Sequence, residues 1–219
     1  MRNRESGFTL VEIAIVLVII SLLLGGILKG QELINSTKIK GNVNDFRSTA
    51  TAYYGFQDRF KAVAGDDTAV ATHVTGGTLA TTPTGDTRGN GRIGGWWIPA
   101  TVASDESSLF WQHVRLAGFL TGTTTVATGY GPVNASGGQI GITGTNPDST
   151  AASTFGGTFY VCSNNIDGKS AKLIDIAMDD GATNTGTVRV FAADAAAAGP
   201  LIAITAIVDG TLYSVCAAY

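Results

Sequence analysis

The hydrophobic pattern changes character twice along the chain. From Phe8 to Leu28 it reads FTLVEIAIVLVIISLLLGGIL, twenty-one residues with one charge, Glu12. A helix of that length spans about 30 Å, enough to cross the hydrocarbon core of a bilayer. Further on, Ile39, Val43, Phe46, Ala50, Tyr53 and Phe60 recur at spacings of three and four, with Gln57 in the one polar place. Asn44, Asp45, Arg47, Ser48, Asp58 and Arg59 occupy much of the rest. That period predicts an amphipathic helix with a coiled-coil-like seam. One helix of about 80 Å is therefore expected from Phe8 to Phe60. Gly25, Gly26, Gly30 and Gly41 are its weak points, each costing roughly 1 kcal/mol against Ala. Gly26 and Gly30 also form a G-x-x-x-G pair that permits close helix packing, and part of this stretch is expected to curve or unwind when helices pack.

Past Phe60 the helical period is lost. Lys61–Trp97 reads as loop, and so does Ala127–Ala152. Between them, Ser104-Asp105-Glu106 reads as an N-cap followed by first-turn acids. The helix it opens runs to about Ala117, buries Leu109, Phe110, Val114 and Ala117, and closes at Gly118. Strands are predicted at Thr158–Cys162, Thr187–Phe191, Leu201–Val208 and Thr211–Cys216, with Asp209-Gly210 as a two-residue hairpin turn between the last two. Lys172–Met178 fits a short helix or a strand. The expected fold is α+β, with the outer half of the long helix packing its seam on an antiparallel sheet.

Composition excludes some functions. Of 219 residues 14% are charged, 14 basic against 17 acidic, for a net charge of −3. The chain is no disordered polyelectrolyte and lacks the basic footprint of a nucleic-acid binder. Two cysteines, Cys162 and Cys216, allow one intramolecular pairing. If the region after the apolar run is exported, that disulfide persists; two unrelated buried thiols are the alternative. A bond closing residues 163–215 contributes about 4 kcal/mol in the chain-entropy model.

The first seven residues, MRNRESG, place Arg2 and Arg4 before the apolar run, which favours a cytoplasmic N-terminus. The run is too long for an ordinary secretory signal, and Leu24-Gly25-Gly26 is a poor cleavage site for one. Glu12 is the anomaly. An acid within an apolar helix costs roughly 2.5–3.5 kcal/mol on insertion scales and usually has a partner. No Lys, Arg or His lies between Phe8 and Leu28. A new α-amino group at Phe8, four residues away, is a candidate; on a neighbouring chain it would set the stagger between subunits.

Gly7-Phe8-Thr9-Leu10-Val11-Glu12 resembles the processing motif of type IV prepilins. The resemblance implies cleavage between Gly7 and Phe8 by a prepilin peptidase, N-methylation of Phe8, and an assembly role for Glu12. It divides the chain into a leader (1–7), a transmembrane and filament-core helix (8–28), an amphipathic stem (29–60) and an exported head (61–219). Implied partners are identical or related subunits in a helical filament, the peptidase, an inner-membrane assembly platform and the lipid bilayer. The head adds to the likeness through Tyr53–Phe60, Ala64-Gly65-Asp66-Asp67, Phe110–Gly118 and Asp179-Asp180-Gly181. Where the family usually has Leu-Pro-Gly-Asp, this chain has Val63-Ala64-Gly65-Asp66. The implied function is a structural subunit of a type IV pilus-like filament, with adhesion and motility as properties of the whole fibre. A type II secretion pseudopilin is the alternative, and the cysteine pair leans towards a pilin. A membrane-tethered binding or enzyme domain is a third reading.

Other chemistry is thin. Gly89-Asn90-Gly91-Arg92-Ile93-Gly94 fits G-x-G-x-x-G, but no strand precedes it and no helix follows, so it reads as a surface loop. His73 and His113 sit in no metal or protease pattern and no Cys-x-x-Cys occurs, so no enzyme is expected. His113 reads as a packing residue. Asp175, Asp179 and Asp180, with Gly181, gather carboxylates near a turn. They are candidate calcium ligands, and some secretion pseudopilins carry a calcium loop, although EF-hand spacing is absent here. No other cofactor is expected.

Overall fold

The computed structural model describes residues 9–81, 86–98, 104–127, 130–148, 154–192 and 206–219. The elements are α1 (Leu10–Phe60), α2 (Val70–His73), α3 (Glu106–Leu116), β1 (Ile140–Thr143), β2 (Tyr160–Asp167), α4 (Gly168–Met178), β3 (Val188–Ala192) and β4 (Leu212–Ala218). The chain divides into two compact units, Met1–Lys38 and Ile39–Tyr219, and α1 contributes to both.

In the first unit, the apolar residues of α1 from Leu10 to Leu28 are solvent-exposed. The helix is long and apolar enough to cross a membrane. Among the described residues, and apart from the helix's own backbone and chain neighbours, no atom lies within 4 Å of where a Cβ would stand on Gly25, Gly26 or Gly30.

In the second unit, the four strands form one antiparallel sheet in the order β1-β2-β4-β3. Alternation along the central strands sorts their side chains onto two faces. Val161, Tyr213, Val215 and Ala217 join Val43, Phe46, Ala50, Tyr53 and Phe56 of α1 in the main core. Tyr160, Cys162, Cys216 and Ala218 face the other way, into a smaller cluster with Trp97, Phe155 and Phe191. The stem thus packs its seam on one face of the sheet, as its period predicts. At one place the seam differs from expectation. Gln57 is exposed, and Phe56, fully buried, takes the position between Tyr53 and Phe60. Tyr53 stacks on Phe159 with ring centres 3.9 Å apart.

Other expectations need correction. The region Ala127–Ala152 holds β1, whose four residues are all buried. Its centre is Gly141, where a Cβ would collide with the Trp97 carbonyl. A four-residue strand that packs against backbone through a glycine leaves no period-2 signal. The loop Lys61–Trp97 contains the single turn α2. The helix α3 has Asp105 at its N-cap position, not Ser104, and Glu106 in its first turn is buried. Its C-terminus follows expectation: Gly118 at φ +83 donates to Arg115 O, and Phe119 donates to Val114 O, a Schellman closure.

Among the described residues, the Asp209-Gly210 turn joins no two paired strands. Of the predicted strand Leu201–Val208, residues 201–205 lie outside the described residues and 206–208 are not strand. The turn itself exists, with Thr211 donating to Val208 O at 3.2 Å. However, β2 and β3 occupy both edges of β4, so no further strand can pair there. Instead the Gly210 N–H donates to Asp167 at 2.6 Å. Asp167 also caps α4 by accepting from Ser170 N, and α4 settles Lys172–Met178 as helix. β2 carries a bulge between Ser163 and Ile166; Asn165 adopts φ +58 there, a region Asn tolerates better than most residues.

Candidate functional site

At the N-terminal end, Gly7 and Phe8 lie outside the described residues. Glu12 and its surroundings are described. The Thr9 N–H donates to Glu12 Oε2 at 2.8 Å, and the Thr9 hydroxyl donates to the same oxygen at 2.7 Å. The Glu12 N–H in turn donates to Thr9 Oγ1 at 3.3 Å. This is a reciprocal capping box, with Thr9 as N-cap and Glu12 three residues on. Two of the orphan donors at the start of α1 are satisfied, and the lone acid of the apolar run has partners within its own chain. The sequence signal was present as Thr9-x-x-Glu12, but a search for charged partners passes over a hydroxyl and a backbone N–H.

The exit of the stem is the second concentration of polar side chains. Three consecutive residues after α1 each bind a different segment. The Gly65 N–H donates to His113 Nδ1 on α3 at 2.9 Å. The Asp66 carboxylate accepts the N–H groups of Gly89 and of Gly91, the latter at 2.7 Å. Asp67 accepts from Ala69 N at 2.9 Å and meets His73 Nδ1 on α2 at 2.7 Å. Gly65 stands at φ +93, and a Cβ there would strike the Glu106 carbonyl, so only glycine suits this crossing. The G-x-G-x-x-G segment is thus a loop whose amides hold a protein carboxylate. Its first four residues are exposed, while Ile93 and Gly94 are buried.

His113 is buried, as expected of a packing residue, and also fully hydrogen-bonded. Its Nδ1 accepts from Gly65, and its Nε2 lies 2.8 Å from Thr78 O, where it can only donate. That pattern fixes one neutral tautomer. Burial pushes its pKa below the ordinary 6.5, against the Thr78 bond and the charge of Asp67.

The candidate calcium residues point their oxygens to different tasks. Asp179 Oδ2 accepts the N–H of Thr187 and that of Val188, the latter at 3.0 Å. Asp180 accepts from Ala182 N at 2.8 Å and from the Thr185 hydroxyl at 3.0 Å. Asp175 is fully buried. Burial, helped by the charges of Asp180 and Asp179, pushes its carboxyl up to about 6. Among the described residues, no three His, Cys, Asp or Glu side chains gather as a metal site requires. Cys162 and Cys216 do come together, directly opposite in the β2–β4 register and bonded as a disulfide.

Comparison with curated proteins and with solved structures found no match. One family model matches, at residues 2–28, which take in Gly7, Phe8, Glu12 and the apolar run. It is the prokaryotic N-terminal methylation motif, so this chain carries the signature of type IV pilins and pseudopilins.

Proposed function

We propose that the chain is a structural subunit of a type IV pilus-like filament, made as a precursor and stored in the inner membrane. The methylation motif at residues 2–28 carries this reading. Supporting it, the motif leads directly into a helix that is apolar to Leu28 and continues to a stem seated on an α+β head. In this reading a prepilin peptidase cuts between Gly7 and Phe8 and methylates Phe8. The apolar half of α1 then moves from lipid into a bundle of like helices, and Glu12 aids docking into the filament. The exposed apolar surface from Leu10 to Leu28 suits both environments. The stem-exit bonds brace the head where it meets the helix, which is a structural role, with no reaction assigned to them.

Intact-mass analysis of the protein from native membranes tests the proposal. The expected chain begins at Phe8 and carries one methyl group. A chain still beginning at Met1 would overturn the reading in favour of a plain anchor. Pilus and secretion pseudopilus share the processing step, so surface-filament imaging of cells lacking the gene, alongside a secretion assay, separates them. The disulfide favours the pilus, in keeping with the family resemblance.

A further inference from the structure

Glu106 opens α3 in a position usually exposed to solvent, yet it is fully buried. Its Oε2 accepts the Gly94 N–H at 2.6 Å, and its Oε1 has no donor. Among the described residues, the carboxyl of Asp66, itself 3% exposed, belongs to the segment that crosses Glu106: a Cβ on the preceding Gly65 would strike the Glu106 carbonyl, and Asp66 acts on the Glu106 carboxyl. Asp66 comes from the turn after α1 and already holds Gly89 and Gly91. The surrounding charges do not relieve the pair. Asp66 and, from the glycine loop, Asp86 both act on Glu106 with the same sign. Asp105 precedes it on α3. Of the basic groups on the surrounding segments, His113 lies between Gly65 and Thr78, His73 on Asp67, Arg92 on the Gly144 carbonyl and Lys61 on Asp58, while Arg88 of the glycine loop is exposed.

Two ionised carboxylates are acceptors only and cannot bond to each other. A proton on one supplies the missing donor. We propose that Glu106 holds a proton, donates it in a hydrogen bond to Asp66, and so forms a latch that fastens the glycine loop, residues 86–98, to the turn at the end of the stem. Loss of that proton to solvent opens the latch. Ionisation would leave two adjacent negative charges in a buried site, each tied to a different part of the loop through Gly89, Gly91 and Gly94.

Burial first, then Asp66 and Asp86, push Glu106 up from 4.5 to about 7, against the Gly94 N–H. A raised acid pKa contributes stability that is fully present below the unfolded value of 4.5. That contribution falls as pH rises and is gone once pH passes the folded value of about 7.

The test uses the full chain in detergent micelles. The sequence holds four glutamates, Glu5, Glu12, Glu32 and Glu106, so carboxyl-labelled glutamate gives four resonances, and Glu106→Gln identifies one. The Glu106 carboxyl is expected to titrate near neutrality. Amide exchange at Gly91 and Gly94, corrected for base catalysis, should report an opening equilibrium that rises about 30-fold between about pH 5.5 and about pH 8.5. Glu106→Gln supplies the donor permanently and should keep both amides protected across that range. Asp66→Asn should bring the Glu106 titration back towards ordinary glutamate values, and it serves if the glutamine variant fails to fold. A wild-type Glu106 titrating like a surface glutamate, or amide protection that ignores pH, overturns the latch. So does a glutamine variant that opens along the wild-type curve.

Discussion

Thr9 and Glu12 cap each other at the start of α1: the threonine N–H and hydroxyl both donate to one carboxylate oxygen, and the glutamate N–H returns a bond to the threonine. Both residues lie after the Gly7–Phe8 bond, so the proposed cleavage leaves the box intact. Part of the cost of an acid near the end of an apolar helix is that its oxygens lack donors. Here the helix terminus has surplus donors, and each deficit offsets the other. Under the proposed function, Glu12 would need no second chain to supply its hydrogen-bond donors before assembly.

Thr9→Val keeps the shape at the cap and removes the hydroxyl. Loss of an N-cap side chain costs about 1 kcal/mol, and in lipid one Glu12 donor goes with it. The expected result is faster amide exchange at Glu12 and Ile13 in micelles and a smaller membrane-inserted fraction on carbonate extraction. Thr9→Ser should restore both. Equal exchange in the valine variant and wild type would remove the cap from the account.

Phe56 and Gln57 are adjacent, yet only Phe56 faces the core. Phe56→Ala should destabilise the head by about 3–5 kcal/mol through loss of transfer energy and an unfilled cavity. Gln57→Ala should stay within about 0.5 kcal/mol. Urea unfolding of the two variants, followed by tryptophan fluorescence, distinguishes them. Comparable losses would place the seam one residue later.

That pair shows where the sequence was legible. A 3.6-residue period accommodates Phe56 or Gln57 between Tyr53 and Phe60, and the periodic reading took the polar one into the seam. The long helix, α3 with its Gly118 closure, the cores of β2, β3 and β4 and the cysteine pair each leave a local signature. β1 does not, because Gly141 is dictated by the Trp97 backbone crossing it. The hairpin expected at Asp209-Gly210 is absent among the described residues for a related reason. Its turn chemistry is correct and local, whereas the occupancy of both edges of β4 is a property of the whole sheet. At the stem exit, Gly65, Asp66 and Asp67 are legible through a family likeness. Their partners, Gly89, Gly91, His73 and His113, lie up to 48 residues away and are joined only by folding.

Cys162 and Cys216 staple the two central strands and are buried on both sides. Replacing both with alanine, which leaves no new polar group inside, should cost about 4 kcal/mol by the chain-entropy estimate. At about 2–4 °C per kcal/mol for a domain of this size, the melting temperature should fall by roughly 10 °C. Calorimetry of the full chain in micelles measures it. A change under a few degrees would show that strand pairing alone fixes the β2–β4 register.

His113 should give the head an acid limit. Its Nδ1 accepts from Gly65 N–H only while unprotonated, since a protonated imidazole donates from both nitrogens. Because burial depresses its pKa, the folded state binds this proton less readily than the unfolded chain. The resulting stability is fully present above the unfolded value near 6.5 and is lost as pH falls through the depressed folded value. Glu106 has the opposite sign, so the two effects need separating. In a Glu106→Gln background, urea unfolding at about pH 7 and about pH 5 should still show the acid-side loss. Adding His113→Ala should lower stability by about 2–4 kcal/mol at the higher pH, because Gly65 N–H and Thr78 C=O both lose a partner in the interior. The same substitution should flatten the acid-side slope. If the slope stays as steep without the imidazole, the acid limit belongs to another group, and His113 is a packing residue whose hydrogen bonds do not couple to pH.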